Sequence, residues 1–123
     1  MRMESELQDA GDKEIIKELV AKTDQMLQER FRLIKAMARN MKAKEDLLVR
    51  EAELIREIRD STEIRASNAE TRKAELDIMS REDERYQQLI TERNDCWHVV
   101  KTEEAVIERI HNEIQNLRTV LAL

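Results

Sequence analysis

The sequence predicts an all-α fold: a long coiled-coil helix that forms a parallel or antiparallel oligomer, with a helical hairpin that packs into a helical bundle as the alternative. The chain has 123 residues but only one glycine and no proline, the two residues that most readily interrupt a helix. Charged residues make up 40% of the chain and aromatic residues 2%, a balance typical of long helices with aliphatic stripes. Aliphatic side chains also recur at the seven-residue spacing of a coiled coil.

The N-terminal end of this helix is predicted at Asp12. Residues 1–11 show no sustained apolar period and end at Gly11, so we expect them to form a disordered lead-in. The Asp12 carboxylate can accept hydrogen bonds from the free amides of a first helical turn. The predicted coiled-coil helix therefore covers residues 12–123.

The heptad register runs without a slip when position a is placed at Val20. The N-terminal half is apolar mainly at a, and the C-terminal half mainly at d and g. A single helix would leave this stripe in water, at about 25 cal/mol for each Å² exposed, so we expect other helices to cover it. The predicted oligomer interface consists of Val20, Leu27, Ile34, Met41, Leu48, Ile55, Leu76, Trp97, Val100, Ile107, Ile110, Ile114, Leu117 and Leu121.

A break or hinge is predicted at residues 59–73, where the heptad core positions are mostly polar. Two capping boxes lie there, Asp60 with Glu63 and Ser67 with Glu70, and either could start a second helix. Such a second helix would fold back on the first and form the hairpin. The unbroken register and the absence of a C-cap glycine favour the continuous rod instead.

A basic stripe of Arg32, Lys35, Arg39 and Lys42 follows the i, i+3, i+7, i+10 spacing of one helix face. It is either a solvated face or a docking strip for an acidic filament surface or an anionic membrane. We expect no nucleic acid as partner, because the net charge is −5 and no aromatic side chain interleaves with the stripe.

Little in the sequence indicates a catalytic site or a metal site. Asp95 with His98 and Glu108 with His111 have the i, i+3 spacing of helical metal ligands, but the two pairs lie roughly 20 Å apart along one helix. Cys96 has no base on its own helix face and no turn that could form an oxyanion site. We therefore predict no enzyme, no catalytic residue, no metal site and no cofactor.

The single cysteine and the hydropathy pattern bear on localisation. Cys96 alone cannot form an intrachain disulfide, which is typical of a reducing compartment. No apolar run approaches the roughly 20 residues of a membrane span, and no signal peptide is recognisable. We expect an intracellular protein, either cytoplasmic and cytoskeleton-associated or nuclear.

Together these patterns predict a structural interaction protein: a coiled-coil oligomerisation and scaffolding segment of a larger intracellular assembly of the cytoskeletal, centriolar, kinetochore or trafficking type. The expected partner is a protein, either a second copy of the chain or a related coiled-coil subunit. Charged residues at a and d, such as Arg30 and Lys44, would then set the register and partner choice. The alternative is the docking module that uses the basic stripe.

Overall fold

The computed structural model describes residues 2–61 and 69–123, including the side chains of all of these except 2–5 and 7. Within these residues the chain forms three α-helices and no strand: α1 (Arg2–Asp60), α2 (Ala69–Glu82) and α3 (Glu84–Ala122). The all-α prediction is confirmed. The coiled-coil form of the helices stays a prediction.

Helix α1 begins at Arg2, so it includes residues 2–11, which the sequence predicts to be a disordered lead-in. Asp12 accordingly lies inside the helix and not at its N-terminus. The only local obstacle is Gly11, which takes an ordinary helical backbone without a positive φ. A glycine inside a helix costs only about 1 kcal/mol relative to alanine, which is too little to end a helix of this length.

The chain divides into two compact units, each of which contains an antiparallel helix pair. The first unit comprises Met1–Lys35 and Val100–Leu123, and the second comprises Ala36–Val99. In the first unit Lys22 of α1 bonds Glu113 of α3, whereas Glu29, further along α1, lies beside Glu103, earlier in α3. This is the hairpin packing that the sequence offers as the alternative to a continuous rod.

The core of the first unit is a small aliphatic cluster between α1 and α3. Met26, Ile110 and Ile114 are buried, and Ile110 has no exposed surface. Leu19, Val106 and Ile107 pack against this cluster and are partly buried. Full burial of such side chains contributes about 1.5–3 kcal/mol each, so this cluster stabilises the packing of α1 against α3 in the first unit.

The core of the second unit combines small and large apolar side chains. Ala36 and Ala43 of α1 are buried, and their small size lets a neighbouring helix approach closely. Leu54 and Leu89 are the largest fully covered side chains of this unit, at 1% and 2% exposure. Leu47 and Ile58 complete the buried apolar set on α1.

Asp83 separates α2 from α3 and caps the latter. Its carboxylate Oδ2 accepts a hydrogen bond of 2.7 Å from the Tyr86 N–H, three residues on, as an N-cap side chain does. Gln87 Nε2 donates to the Ser80 carbonyl at 2.8 Å, which satisfies an acceptor in the last turn of α2.

The break predicted at 59–73 lies partly outside the described residues. Helix α1 ends at Asp60 and α2 begins at Ala69, both within that interval. Glu63 and Ser67, one member of each predicted capping box, are outside the described residues, so both capping boxes stay predictions.

Candidate helix-binding surface

Helix α1 carries two apolar faces, and only one of them packs within the chain. In the register that places a at Val20, the buried apolar residues of α1 fall at c and g, with Ile58 as an exception at d. Successive residues of a helix are 100° apart, so c and g lie together on one side, and a and e lie together on the other. The buried c and g residues are Met26, Ala36, Ala43, Leu47 and Leu54.

The second apolar face is the row of a positions, which we call the a row: Val20, Leu27 and Ile34 in the first unit and Met41, Leu48 and Ile55 in the second. Each of these side chains is 47–64% exposed. Phe31 at e is 67% exposed and lies on the same face of the first unit. The sequence predicts the a row as part of an oligomer interface, and the single chain leaves it uncovered.

The other residues of the predicted interface are mostly covered inside the chain. Val100, Ile110 and Ile114 are buried in the first unit. Leu76, Ile107, Leu117 and Leu121 are half-buried, and Trp97 is 45% exposed. The d and g rows of α3 thus serve packing within each unit, and a role for them between chains stays a prediction.

Polar side chains within the packed face of α1 find partners on α3 or at its N-terminus. Lys22 forms an ion pair with Glu113, which holds the pKa of that carboxyl below its ordinary value. In the second unit Arg50 Nε and Nη2 donate to Asp83 Oδ2 and Oδ1 at 3.0 and 2.6 Å, a two-pronged pair. Arg50 lowers the pKa of Asp83, and the pair raises the pKa of Arg50.

Two carboxyl groups meet in the first unit. The hydrogen bond between Glu29 and Glu103 lowers the pKa of Glu29 and raises that of Glu103, and burial raises the latter further. Arg32 forms an ion pair with Glu29 and favours the charged form of both carboxyls. Glu103 is therefore the member of the pair that holds a proton more readily.

A groove between α1 and α3 opens beside the a row in the second unit. It encloses about 530 Å³ and is lined on its apolar side by Leu47, Leu48, Tyr86 and Trp97. Lys44, Glu51, Arg93 and Asn94 supply polar groups to it. Asn40, only 7% exposed, completes the lining, and its Oδ1 atom has no hydrogen-bond partner among the described residues.

The four basic residues singled out in the sequence are all exposed. Arg32 and Lys35 belong to the first unit, and Arg39 and Lys42 to the second. Arg32 is engaged with Glu29, whereas no acidic side chain of the described residues lies within ion-pair distance of Lys35, Arg39 or Lys42.

In the part of the chain that the structure describes, no group of three histidine, cysteine or acidic side chains stands close enough to hold a metal ion. Cys96 is a free, half-buried thiol. None of the helices in the described residues combines the length and the apolar composition of a membrane span.

The sequence does not reveal that several polar residues lie on the packed face of α1, because the a row is the more apolar of the two faces. Lys22, Glu29, Asn40 and Arg50 occupy c or g positions, where an isolated helix gives no reason to expect burial. A signal was nevertheless present: Met26, Leu33, Leu47 and Leu54 all occupy position g.

Comparison of the chain with models of known families, with curated proteins and with solved structures finds no match.

Proposed function

We propose that the chain is a structural interaction protein that joins other helices through the a row of α1. It would act as an oligomerisation and scaffolding segment of an intracellular assembly, with a second copy or a related coiled-coil subunit as partner. The exposed a row is the observation that supports this most directly. A helix with apolar residues on two opposite sides is typical of the inner helix of a bundle.

The size of the exposed row is sufficient to favour association. Full burial of an aliphatic side chain is worth about 1.5–3 kcal/mol, and roughly half of that is still available at each a position. The three a-row residues of either unit thus offer about 3 kcal/mol, and a partner with an equally apolar face offers a similar amount. Binding costs at least about 4 kcal/mol in lost freedom, so the a row of one unit supports weak association.

Light scattering coupled to size exclusion, together with sedimentation velocity over a range of concentrations, tests this proposal. Replacing Leu27, Ile34 and Leu48 by Gln is expected to abolish association, because it removes the apolar surface without touching a buried residue. The matched control replaces Ile78, Val99 and Val120, which are 46–51% exposed but lie on α2 and α3. We expect the control to associate as the original chain does.

Circular dichroism on both variants shows that the helices persist. A chain that stays monomeric at every concentration and also binds no helical peptide contradicts the proposal. The proposal is also contradicted if the control variant loses association while the a-row variant keeps it.

A second candidate function is docking of the basic stripe on an acidic filament surface or an anionic membrane. It is favoured by Lys35, Arg39 and Lys42, which are exposed and have no acidic side chain within ion-pair distance in the described part of the chain. Co-pelleting with microtubules and with anionic liposomes tests it. If changing these three residues and Arg32 to Glu leaves both associations unchanged, the stripe is a solvated face.

A further inference from the structure

We infer that the second unit forms an antiparallel dimer with a second copy of itself, with Leu48 at the twofold axis and Lys44 of each copy opposite Glu51 of the other. This inference rests on the proposed function and names the partner of the a row. The observation that carries it is the order of charged and apolar side chains along one edge of the row, which matches its own reverse.

The edge of the a row that borders the groove changes charge on passing Leu48. Lys44 and Glu51, both at position d, line the groove together with Leu48. Lys44 stands four residues before Leu48, and Glu51 stands three residues after it. When a second copy is turned end over end about Leu48, its Glu51 therefore falls within one residue, about 1.5 Å along the helix axis, of the level of Lys44. Two symmetric contacts then join opposite charges, which makes the edge complementary to itself.

The third charged residue of the groove strengthens this match. Arg93 lies ten residues after Asp83, and Asp83 is paired with Arg50. Because α3 runs antiparallel to α1, Arg93 belongs to the end of the groove where Lys44 lies. Both basic residues thus stand at the end that receives Glu51 of the second copy.

The apolar side chains of the same strip also match their own reverse. About the same axis, Leu48 meets Leu48 of the second copy, and Met41 comes level with Ile55. Met37, which is 50% exposed, comes within one residue of the level of Ile58. Ile55 and Ile58 contribute to the apolar floor of a recess of about 320 Å³ between α1 and α2. Exposed apolar side chains of each copy therefore face apolar surface on the other.

The opposite edge of the a row brings no like charges together. It consists of the e positions, which in the second unit are Ala38, Glu45, Ala52 and Arg59. About the Leu48 axis, Glu45 comes level with Ala52 and Arg59 with Ala38. The small alanine side chains also allow the two helices to approach closely.

A parallel second copy matches the strip less completely. In a parallel dimer the d edge of each copy faces the e edge of the other, so Lys44 would meet Glu45, but Glu51 would meet Ala52. Glu51 is half-buried at the groove, whereas Glu45 is exposed to water. The antiparallel dimer thus pairs the carboxylate that has less access to solvent.

Charge exchange in the full chain, followed by sedimentation equilibrium, tests the inference. K44E alone and E51K alone should each raise the dissociation constant of the dimer roughly tenfold, because each brings like charges together twice. The double variant K44E/E51K should recover most of the affinity, since its charge order again matches its own reverse. A parallel dimer would not recover, because K44E then faces Glu45. The matched control R56E reverses an exposed charge of the second unit away from the a row and should leave the dimer unchanged.

Disulfide cross-linking reports the orientation directly. With Cys96 replaced by Ser, the antiparallel dimer brings M41C of one copy level with I55C of the other. A mixture of these two variants should therefore form the mixed disulfide. Neither variant alone should cross-link, because the two copies of position 41 would lie 14 residues, about 21 Å, apart along the helix axis.

The other outcomes separate failure of this inference from failure of the proposed function. Cross-linking of M41C with itself, or a double variant as weak as the single ones, refutes the antiparallel pairing but leaves association through the a row intact. A chain that stays monomeric yet binds a helical peptide, with L48E abolishing that binding, refutes the second copy as the occupant. If the dimer persists in L48E while circular dichroism shows that the helices are retained, the interface lies elsewhere. In that case, or if the chain neither dimerises nor binds a helix, the proposed function fails as well.

Discussion

Two leucines of α1, six residues apart in the second unit, provide the sharpest test of which face of this helix packs within the chain. Leu54 is 1% exposed and Leu48 is 64% exposed. Leu54→Ala and Leu48→Ala are the same chemical change in the same helix. Any difference in the free energy of unfolding therefore reports on burial alone.

The expected magnitudes follow from the exposure. Leucine to alanine removes three carbon groups, each worth about 0.8 kcal/mol when fully buried, so the transfer contribution at Leu54 is about 2.4 kcal/mol. The cavity left behind raises the total to about 3 kcal/mol. Leu48 is covered over only about a third of its surface, so its loss is below about 1 kcal/mol, and the higher helix propensity of alanine offsets part of it.

Urea unfolding followed by far-UV circular dichroism measures both values at a low protein concentration, where association does not contribute. We expect Leu54→Ala to shift the midpoint strongly and Leu48→Ala to shift it little. If Leu48→Ala destabilises the chain as much as Leu54→Ala does, then the a row is the packed face and our assignment of the two faces is refuted.

Three further predictions concern buried and charged residues. Ile110→Ala should lower the free energy of unfolding by about 2–5 kcal/mol in the same urea assay, because Ile110 is fully buried; a loss below about 1 kcal/mol would contradict this core. The ion pair with Arg50 depresses the pKa of Asp83 in the folded state. The contribution of this pair to the free energy of unfolding should therefore be present above about pH 3.8 and be lost as the pH falls through the lower pKa of the folded state. Asp83→Asn should remove that acid-dependent loss while Asp83→Ala also removes the helix cap, as thermal unfolding at a series of pH values would show. The raised pKa of Glu103 beside Glu29 predicts that stability falls as the pH rises from about 4.5 through the raised folded value, and Glu103→Gln should abolish this fall in pH-dependent urea midpoints.

The helical character of the chain could be predicted from the sequence because it depends on local properties. The scarcity of glycine and the absence of proline leave few points at which a helix must end, and the described chain is helical almost throughout. The helix boundaries were harder to predict from the sequence than the helical character itself. Gly11 predicts a start at Asp12, but one glycine is a weak interruption, and α1 begins at Arg2.

The packed face of α1 could not be predicted correctly from the sequence of that helix alone. Sequence periodicity favours the row with Leu27, Ile34 and Leu48, since it is the most apolar. The structure packs the other face, where Lys22 and Arg50 become tolerable because Glu113 and Asp83 lie opposite them. Such pairing depends on the partner helix, which periodicity along α1 does not contain.

The groove beside Trp97 illustrates the same limit. The sequence identifies Trp97 and Leu48 as apolar at equivalent heptad positions, but it does not bring them together. Their proximity follows from the antiparallel pairing of α1 with α3 in the second unit.

The two apolar faces of α1 have a consequence for how freely its sequence can vary. A helix with one contact face leaves about four of seven positions open to replacement. In α1 the c and g positions are used for internal packing and, under the proposed function, the a and e positions for a partner, so b, d and f stay open. If the proposed function holds, a complete substitution scan should show tolerance in α1 at only about three of every seven positions, and part of that intolerance should appear only in a selection that requires the partner.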